Sequence, residues 1–217
     1  MKIFISYSSK QIYFANRIKE YFDKIEIESF LANDDIRIAE NWKDRILNEL
    51  KTCNIIVLIL SKDFKKSDWC SQEIGIFYSL GKNIIPISID GTQSYGFINH
   101  IQSKMIEPEI PVELRVAEGL TECINNYVPL INLLKNVGGC RYAENVFKTI
   151  EPYFDKIEKE DINLIIKYSI ENSQIWRAAK CIDLFIPKLL NIRKDEIDPE
   201  LFKKINYQLK NQKKYSV

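Results

Sequence analysis

The chain opens with short apolar runs that alternate with stretches of helical spacing. Residues 2–8 begin Ile3-Phe4-Ile5 and close in Ser6-Tyr7-Ser8-Ser9, which predicts a buried strand ending in a polar loop. Ile12, Ala15, Ile18, Tyr21 and Phe22 then recur at helical spacing. Residues 27–32 predict a second strand, and Asn33-Asp34-Asp35 a turn. Asn41 is placed to cap a helix whose buried face is Trp42, Ile46, Leu47 and Leu50. Residues 54–61 (NIIVLILS) are β-branched and apolar on both faces, the pattern of a central parallel strand covered on both sides. A polar loop leads through Trp69 into a helix carrying Glu73, Ile74, Phe77 and Leu80, with Gly81 as its stop signal. Residues 83–89 predict a fourth strand. Strand–helix alternation with short loops predicts a right-handed parallel α/β sheet.

The pattern changes near residue 126. Residues 1–126 carry a net charge of −3 and residues 127–217 a net of +4. Strand signals vanish in the second part. Helical faces replace them at Leu130, Ile131 and Leu134; at Ala143, Val146, Phe147, Ile150 and Phe154; and at Ile162, Ile165, Ile166 and Ile170. Two more follow, at Ile175, Trp176, Ala179 and Ile182, and at Leu201, Ile205 and Leu209. Gly138-Gly139 separates the first two, and Asp198-Pro199 reads as a cap with proline at the first helical position. The expected organisation is an α/β domain over 1–126 and a small all-helical domain of four to six helices over 127–217.

Composition narrows the chemistry. The net charge of +1 over 217 residues gives no global basic footprint for nucleic acid. The longest wholly apolar run, residues 55–60, is far short of the ~20 residues a membrane span needs. The five cysteines are odd in number and include no CxxC pair, which argues against a disulfide framework and a zinc ribbon. With one histidine, His100, neither a two-histidine metal site nor a triad away from that residue can be built. No metal and no cofactor are expected, and a reduced, cytoplasmic protein is. The five lysines from 203 to 214 read as a solvated helix face.

Four stretches, in order and spacing, resemble a Toll/interleukin-1 receptor (TIR) domain of the bacterial NAD-cleaving, Thoeris-like kind. They are FISYSSK (4–10); ESFLANDDI (28–36) with the Trp42 helix; IIVLILSKDF (55–64) running into SDWCSQEIG (67–75); and IIPISID (84–90) with YGFINHIQ (95–102). Two positions depart from the family pattern: Lys10-Gln11 stands where an acidic residue is usual, and Ile38-Ala39-Glu40 where a glycine often precedes the tryptophan helix. The resemblance implies a flavodoxin-like fold with a five-stranded parallel sheet. In such sheets ligands sit outside the carboxyl ends of the strands, where these motifs cluster.

The resemblance also implies that Glu73 is a catalytic carboxylate cleaving the nicotinamide–ribose bond of NAD, which is substrate rather than cofactor. Nicotinamide leaves as a neutral molecule, so no general acid is required, and an anion stabilises the oxocarbenium transition state. The competing reading makes Glu73 a first-turn glutamate that complements the helix dipole. Tyr7, Ser8, Ser9, Phe30, Trp42 and Trp69 are the candidate substrate-binding residues. Ser8 and Ser9 reach phosphates or cap the loop; Trp69 stacks on a base or packs; Trp42 and Phe30 lean toward the core. Asp34, Asp35 and Ile36 form the loop that in relatives contacts a neighbouring TIR subunit. Cys70 is read as a packed cysteine. The implied activity is NAD hydrolysis or cyclisation in anti-phage defence, through self-association, with a phage-derived or protein trigger at the helical domain. A non-catalytic adaptor is the alternative.

Overall fold

The computed structural model describes residues 1–31 and 42–214. It divides into two compact units, Met1–Gly119 and Leu120–Val217. The first holds β1 (Lys2–Ser6), α1 (Ile12–Lys24), β2 (Glu28–Leu31), α2 (Trp42–Thr52), β3 (Ile55–Leu60), α3 (Lys62–Lys65), α4 (Asp68–Ser79), β4 (Asn83–Ser88) and β5 (Lys104–Met105). α5 (Val112–Ile124) runs across the division, and the change of pattern at 126/127 follows its end.

The strands form one five-stranded sheet in the order β2-β1-β3-β4-β5, with every pairing parallel. β3 lies at the centre and all six of its residues are buried. Burial of each such side chain contributes about 1.5–3 kcal/mol. Side chains alternate across the sheet. Phe4, Phe30, Ile56, Leu58 and Leu60 share one face and pack with Ile46 and Leu50 of α2 and Cys70, Ile74 and Phe77 of α4. Ile3, Ile5, Leu31, Val57, Ile59, Ile85 and Ile87 are buried on the other. β5 is two residues long, and no apolar run announces it in the sequence.

The ends of the sheet differ in chemistry. At the end where the strands begin, Glu49 of α2 is buried yet ionically paired. Its carboxylate meets Lys2 at 2.6 Å and Arg45 at 2.8 Å, and Lys2 also reaches Glu28 at 3.0 Å. Lys82 donates to the carbonyls of Leu50 at 3.2 Å and Cys53 at 2.6 Å, closing the open carbonyls at the end of α2. These contacts fasten α2 to β1 and to the start of β4. The carboxyl ends of the strands are left to the loops. Asp90 bridges two of those loops, accepting from the Lys62 amide at 2.9 Å and from the Thr92 hydroxyl at 2.6 Å.

The helix stops follow the sequence signals. α4 ends at Leu80, and Gly81 takes a φ of +64° as the residue beyond the cap. The predicted cap at Asn41 and the predicted strand end at Ala32 lie outside the described residues. Leu47 is half-buried and Trp42 is 46 % exposed, so the apolar face of α2 is narrower than its spacing predicts. Its buried residues are Ile46, Glu49 and Leu50.

The second unit contains, among the described residues, α6 (Val128–Lys135), α7 (Cys140–Ile150), α8 (Lys159–Glu171), α9 (Ser173–Trp176), α10 (Ile186–Arg193) and α11 (Pro199–Lys214). The faces predicted at 130–134 and 143–154 are buried as read. The face at 175–182 holds only at its start, where Ile175 and Trp176 are buried. Ala179 is exposed and Ile182 half-buried, while Ala178, Cys181 and Phe185 are inside. α9 has four residues and a π-helical turn follows at Cys181–Phe185, which breaks the 3.6-residue phase. Asn172 organises the bundle. Its amide donates to the carbonyls of Leu134 at 3.1 Å and Val137 at 3.3 Å, and its side-chain oxygen caps α9 through the Gln174 amide at 2.9 Å. Asp198 caps α11 through the amides of Glu200 and Leu201.

One position in the first unit tests the packing directly. A Cβ at Gly119 of α5 would stand 2.4 Å from Cγ2 of Ile85 in β4, a branched atom with no flexible end to swing aside. Gly119→Ala is expected to lower stability by about 1–3 kcal/mol through forced separation of helix and strand. Chemical denaturation checks it, and pairing with Ile85→Ala is expected to recover part of the loss.

Candidate functional site

In the order β2-β1-β3-β4-β5 the chain leaves β1 in one direction and returns on its other side, so the topological switch point lies between β1 and β3. In open parallel sheets ligands bind outside the carboxyl ends of the strands at such a point. Ser6 is the last residue of β1, registered against Leu58 of β3. It lies two residues beyond Phe4 and therefore on the face that packs against α4.

α4 begins at Asp68, with the Ser67 hydroxyl accepting from the Cys70 amide at 3.3 Å. Asp68 is the acidic residue of its first turn. Glu73 lies one turn further on and points into the protein, 5 % exposed. The dipole role is thus taken by Asp68, and the reading of Glu73 as a first-turn glutamate is corrected by where the helix starts. Ser6, wholly buried, donates its hydroxyl to Oε2 of Glu73 at 2.5 Å. Burial pushes the Glu73 carboxyl up from 4.5 to about 7, and the Ser6 hydrogen bond opposes that rise. Cys70 is 3 % exposed, and burial pushes its thiol up to about 11, against the pull of the Ser67 and Ser6 hydroxyls. It is a packed, neutral thiol rather than a nucleophile.

Two tryptophans stand over the same end. The Trp42 and Trp69 rings meet edge to face, centroids 4.5 Å apart and planes at 70°. Trp69 is one helical turn before Glu73 on α4, and Trp42 opens α2. The lean of Trp42 toward the core is corrected: it is exposed because its helix neighbours Ile46 and Leu50 already fill the space beneath. Phe30 is 2 % exposed, sits 5.4 Å from Phe4 and carries the Arg45 guanidinium over its ring, so it is a core residue beneath the site. Tyr7 is buried directly after Ser6. Ser8 is half-buried at the start of a 3-10 turn (Ser9–Gln11), and Ser9 is exposed within it. Lys10 of that turn meets Asp63 of α3 at 2.8 Å and joins the loops after β1 and β3. Asp34, Asp35 and Ile36 lie outside the described residues.

The structure thus brings Glu73, Trp69, Trp42 and Tyr7 to one end of the sheet and adds Ser6, which the sequence reading passed over for its neighbours Ser8 and Ser9. The available signal was the alternation itself, with a hydroxyl on the inward face of an otherwise apolar strand. Among the described residues no three His, Cys, Asp or Glu side chains converge to hold a metal, and all five cysteines are free. No helix of the described residues is long and apolar enough to cross a membrane.

The family model of the TIR domain matches residues 3–109. Among solved structures, the chain is similar to the TIR domain of the Toll-related receptor TRR-2 from Hydra magnipapillata. The identity there is 21 %, the match covers 48 % of this chain and 82 % of that one, and the TM-score is 0.43. No curated protein matches the chain.

The raised carboxyl has a stability consequence. Between pH 4.5 and about 7 the unfolded chain releases the Glu73 proton before the folded chain does, so wild-type stability falls as pH rises through that window. Glu73→Gln removes this loss. It is expected to be more stable than wild type at pH 8, by an amount on the order of 3 kcal/mol at most, with the advantage shrinking toward pH 4.5. Thermal unfolding of both proteins across that range checks the sign.

Proposed function

From the match of residues 3–109 to the TIR-domain family model, we propose that this chain is a TIR-domain enzyme that cleaves the nicotinamide–ribose bond of NAD. The observation that carries the reading is the buried Glu73 carboxylate, hydrogen-bonded by Ser6 at the switch point, with Trp69 one helical turn earlier on α4 and paired edge to face with Trp42.

The chemistry asks little of the protein. The bond from ribose C1′ to the pyridinium nitrogen breaks, its electron pair leaves with neutral nicotinamide, and C1′ becomes an oxocarbenium carbon. A carboxylate in a water-poor site stabilises that cation far better than one in bulk water. It also accepts hydrogen bonds from the ribose hydroxyls and fixes the sugar. Attack by water with loss of a proton gives ADP-ribose. Attack by a nucleophile of the same molecule gives a cyclic isomer, an outcome favoured by exclusion of water. The indole pair offers a π surface to a base or to the cationic ring.

TIR domains self-associate, and assembly through the loop carrying Asp34, Asp35 and Ile36 is part of the proposal. So is a role in anti-phage signalling, with a phage-derived or protein trigger acting on the helical unit. No nucleic-acid or membrane partner is invoked.

The test is nicotinamide release from NAD by the concentrated full-length chain, beside Glu73→Ala. The mutant is expected to lose at least about 100-fold in kcat, the scale of one removed electrostatic stabiliser. In wild type, kcat/KM is expected to climb with pH and level off above about 7, as the free enzyme's carboxyl ionises. Equal turnover in both proteins would remove Glu73 from the mechanism. Absence of turnover at high concentration that persists when the assay is repeated with phage-infected lysate would favour the adaptor.

A further inference from the structure

We propose that Ser6 is a positioning residue for the carboxylate of Glu73, holding Oε2 at the end of β1 so that Oε1 addresses the substrate ribose. The inference rests on the reading of Glu73 as the acting carboxylate.

The argument begins with the strand. β1 is paired on both sides, to β2 and to β3, so its last residue is held by the centre of the sheet. On the inward face of the first unit the neighbouring positions are Phe4, Ile56, Leu58 and Leu60, all apolar and all buried. A hydroxyl among them has to be satisfied or it costs stability. Ser6 is satisfied by Glu73, and the two buried groups have no water between them at 2.5 Å. A glutamate side chain has three torsions, and anchoring one oxygen to a sheet residue removes most of that freedom before substrate arrives.

The bond acts on charge as well as on aim. A hydroxyl that donates to a carboxylate favours the ionised form. Burial works the other way at Glu73, and among the described residues the Ser6 bond opposes it. Among the described residues the elements that pack on this layer are otherwise apolar or paired. From α4 the titratable neighbour is the Cys70 thiol, neutral to about pH 11. β3 presents Leu58 and Leu60, and α2 presents Ile46 and Leu50. The ionic groups of α2 nearest the core, Glu49 and Arg45, pair with each other, and Glu49 also pairs with Lys2 where the strands begin. Lys10 and Asp63 pair across the loops at the carboxyl end.

The experiment uses the full chain labelled with carbon-13 at the glutamate carboxyls, with the Glu73 signal assigned by its loss in Glu73→Gln. Wild type, Ser6→Ala, Ser6→Cys and Ser6→Thr are titrated, and nicotinamide release is measured over the same pH range. In Ser6→Ala the Glu73 midpoint is expected to rise by about one unit, roughly a tenfold change in proton affinity. The acid limb of kcat/KM is expected to move with it, and kcat to fall about 10- to 100-fold. Ser6→Thr keeps the hydroxyl and is expected to restore both. Ser6→Cys, a weaker donor of similar size, is expected to fall between, and it carries the test if Ser6→Ala does not fold. An unchanged Glu73 midpoint in a folded Ser6→Ala or Ser6→Cys chain would overturn the proposal, as would a folded Ser6→Thr that behaves like Ser6→Ala. A wild-type chain that releases no nicotinamide would defeat the enzymatic reading instead, and the titration alone would then decide whether Ser6 governs Glu73.

Discussion

A carboxylate withdrawn from water and answered by one hydroxyl is the interaction on which this site turns. Placing an ionisable group in an apolar layer raises the free energy of its charged form, and proteins tolerate that where the group has a partner or a task. Glu73 has Ser6 as its hydrogen-bond partner, and it sits at the edge of a layer otherwise built from Phe4, Leu58, Leu60, Ile74 and Phe77. The same layer that raises the cost of the charge also holds the helix that carries it. The position and the protonation of Glu73 therefore come from one packing arrangement.

The sheet decides where that arrangement stands. Strand order reverses between β1 and β3, and α4, which follows β3, brings Glu73 against Ser6 at the carboxyl end of β1. The opposite end is closed by charge pairing rather than by apolar contact. Glu49, Lys2 and Arg45 neutralise one another, and Lys82 caps the end of α2. A buried pair of this kind adds little net stability over apolar packing but is costly to break. It makes one end of the unit fixed and leaves the other to the loops.

Much of this was readable from residue order. The run at 55–60 has no polar position, and only a central parallel strand uses such a run. Gly81 after an amphipathic stretch, and Asp198 before Pro199, announce helix ends through backbone chemistry that does not depend on tertiary contact. What escaped was set by contacts between distant residues. β5 is two residues held by pairing to β4 and has no period of its own. Trp42 follows the helical spacing yet stays outside, because the space beneath it is already filled. The phase slip after Trp176 comes from a π turn that no local propensity marks. Ser6 was passed over beside Ser8 and Ser9, although its alternation with Phe4 puts it on the inward face, and its register against Leu58 of β3 fixes it there.

The central claim is spatial: the Glu73 carboxylate meets the nicotinamide ribose. The most direct measurement is a crystal structure of the chain with an unreactive NAD analogue in which a methylene replaces the ribose ring oxygen. The account predicts a Glu73 carboxylate oxygen about 2.6–3.2 Å from a hydroxyl of that ribose, with Ser6 still bonded to the other oxygen. An analogue bound with its nicotinamide ribose away from Glu73, and the carboxylate still enclosed by the core, would contradict it.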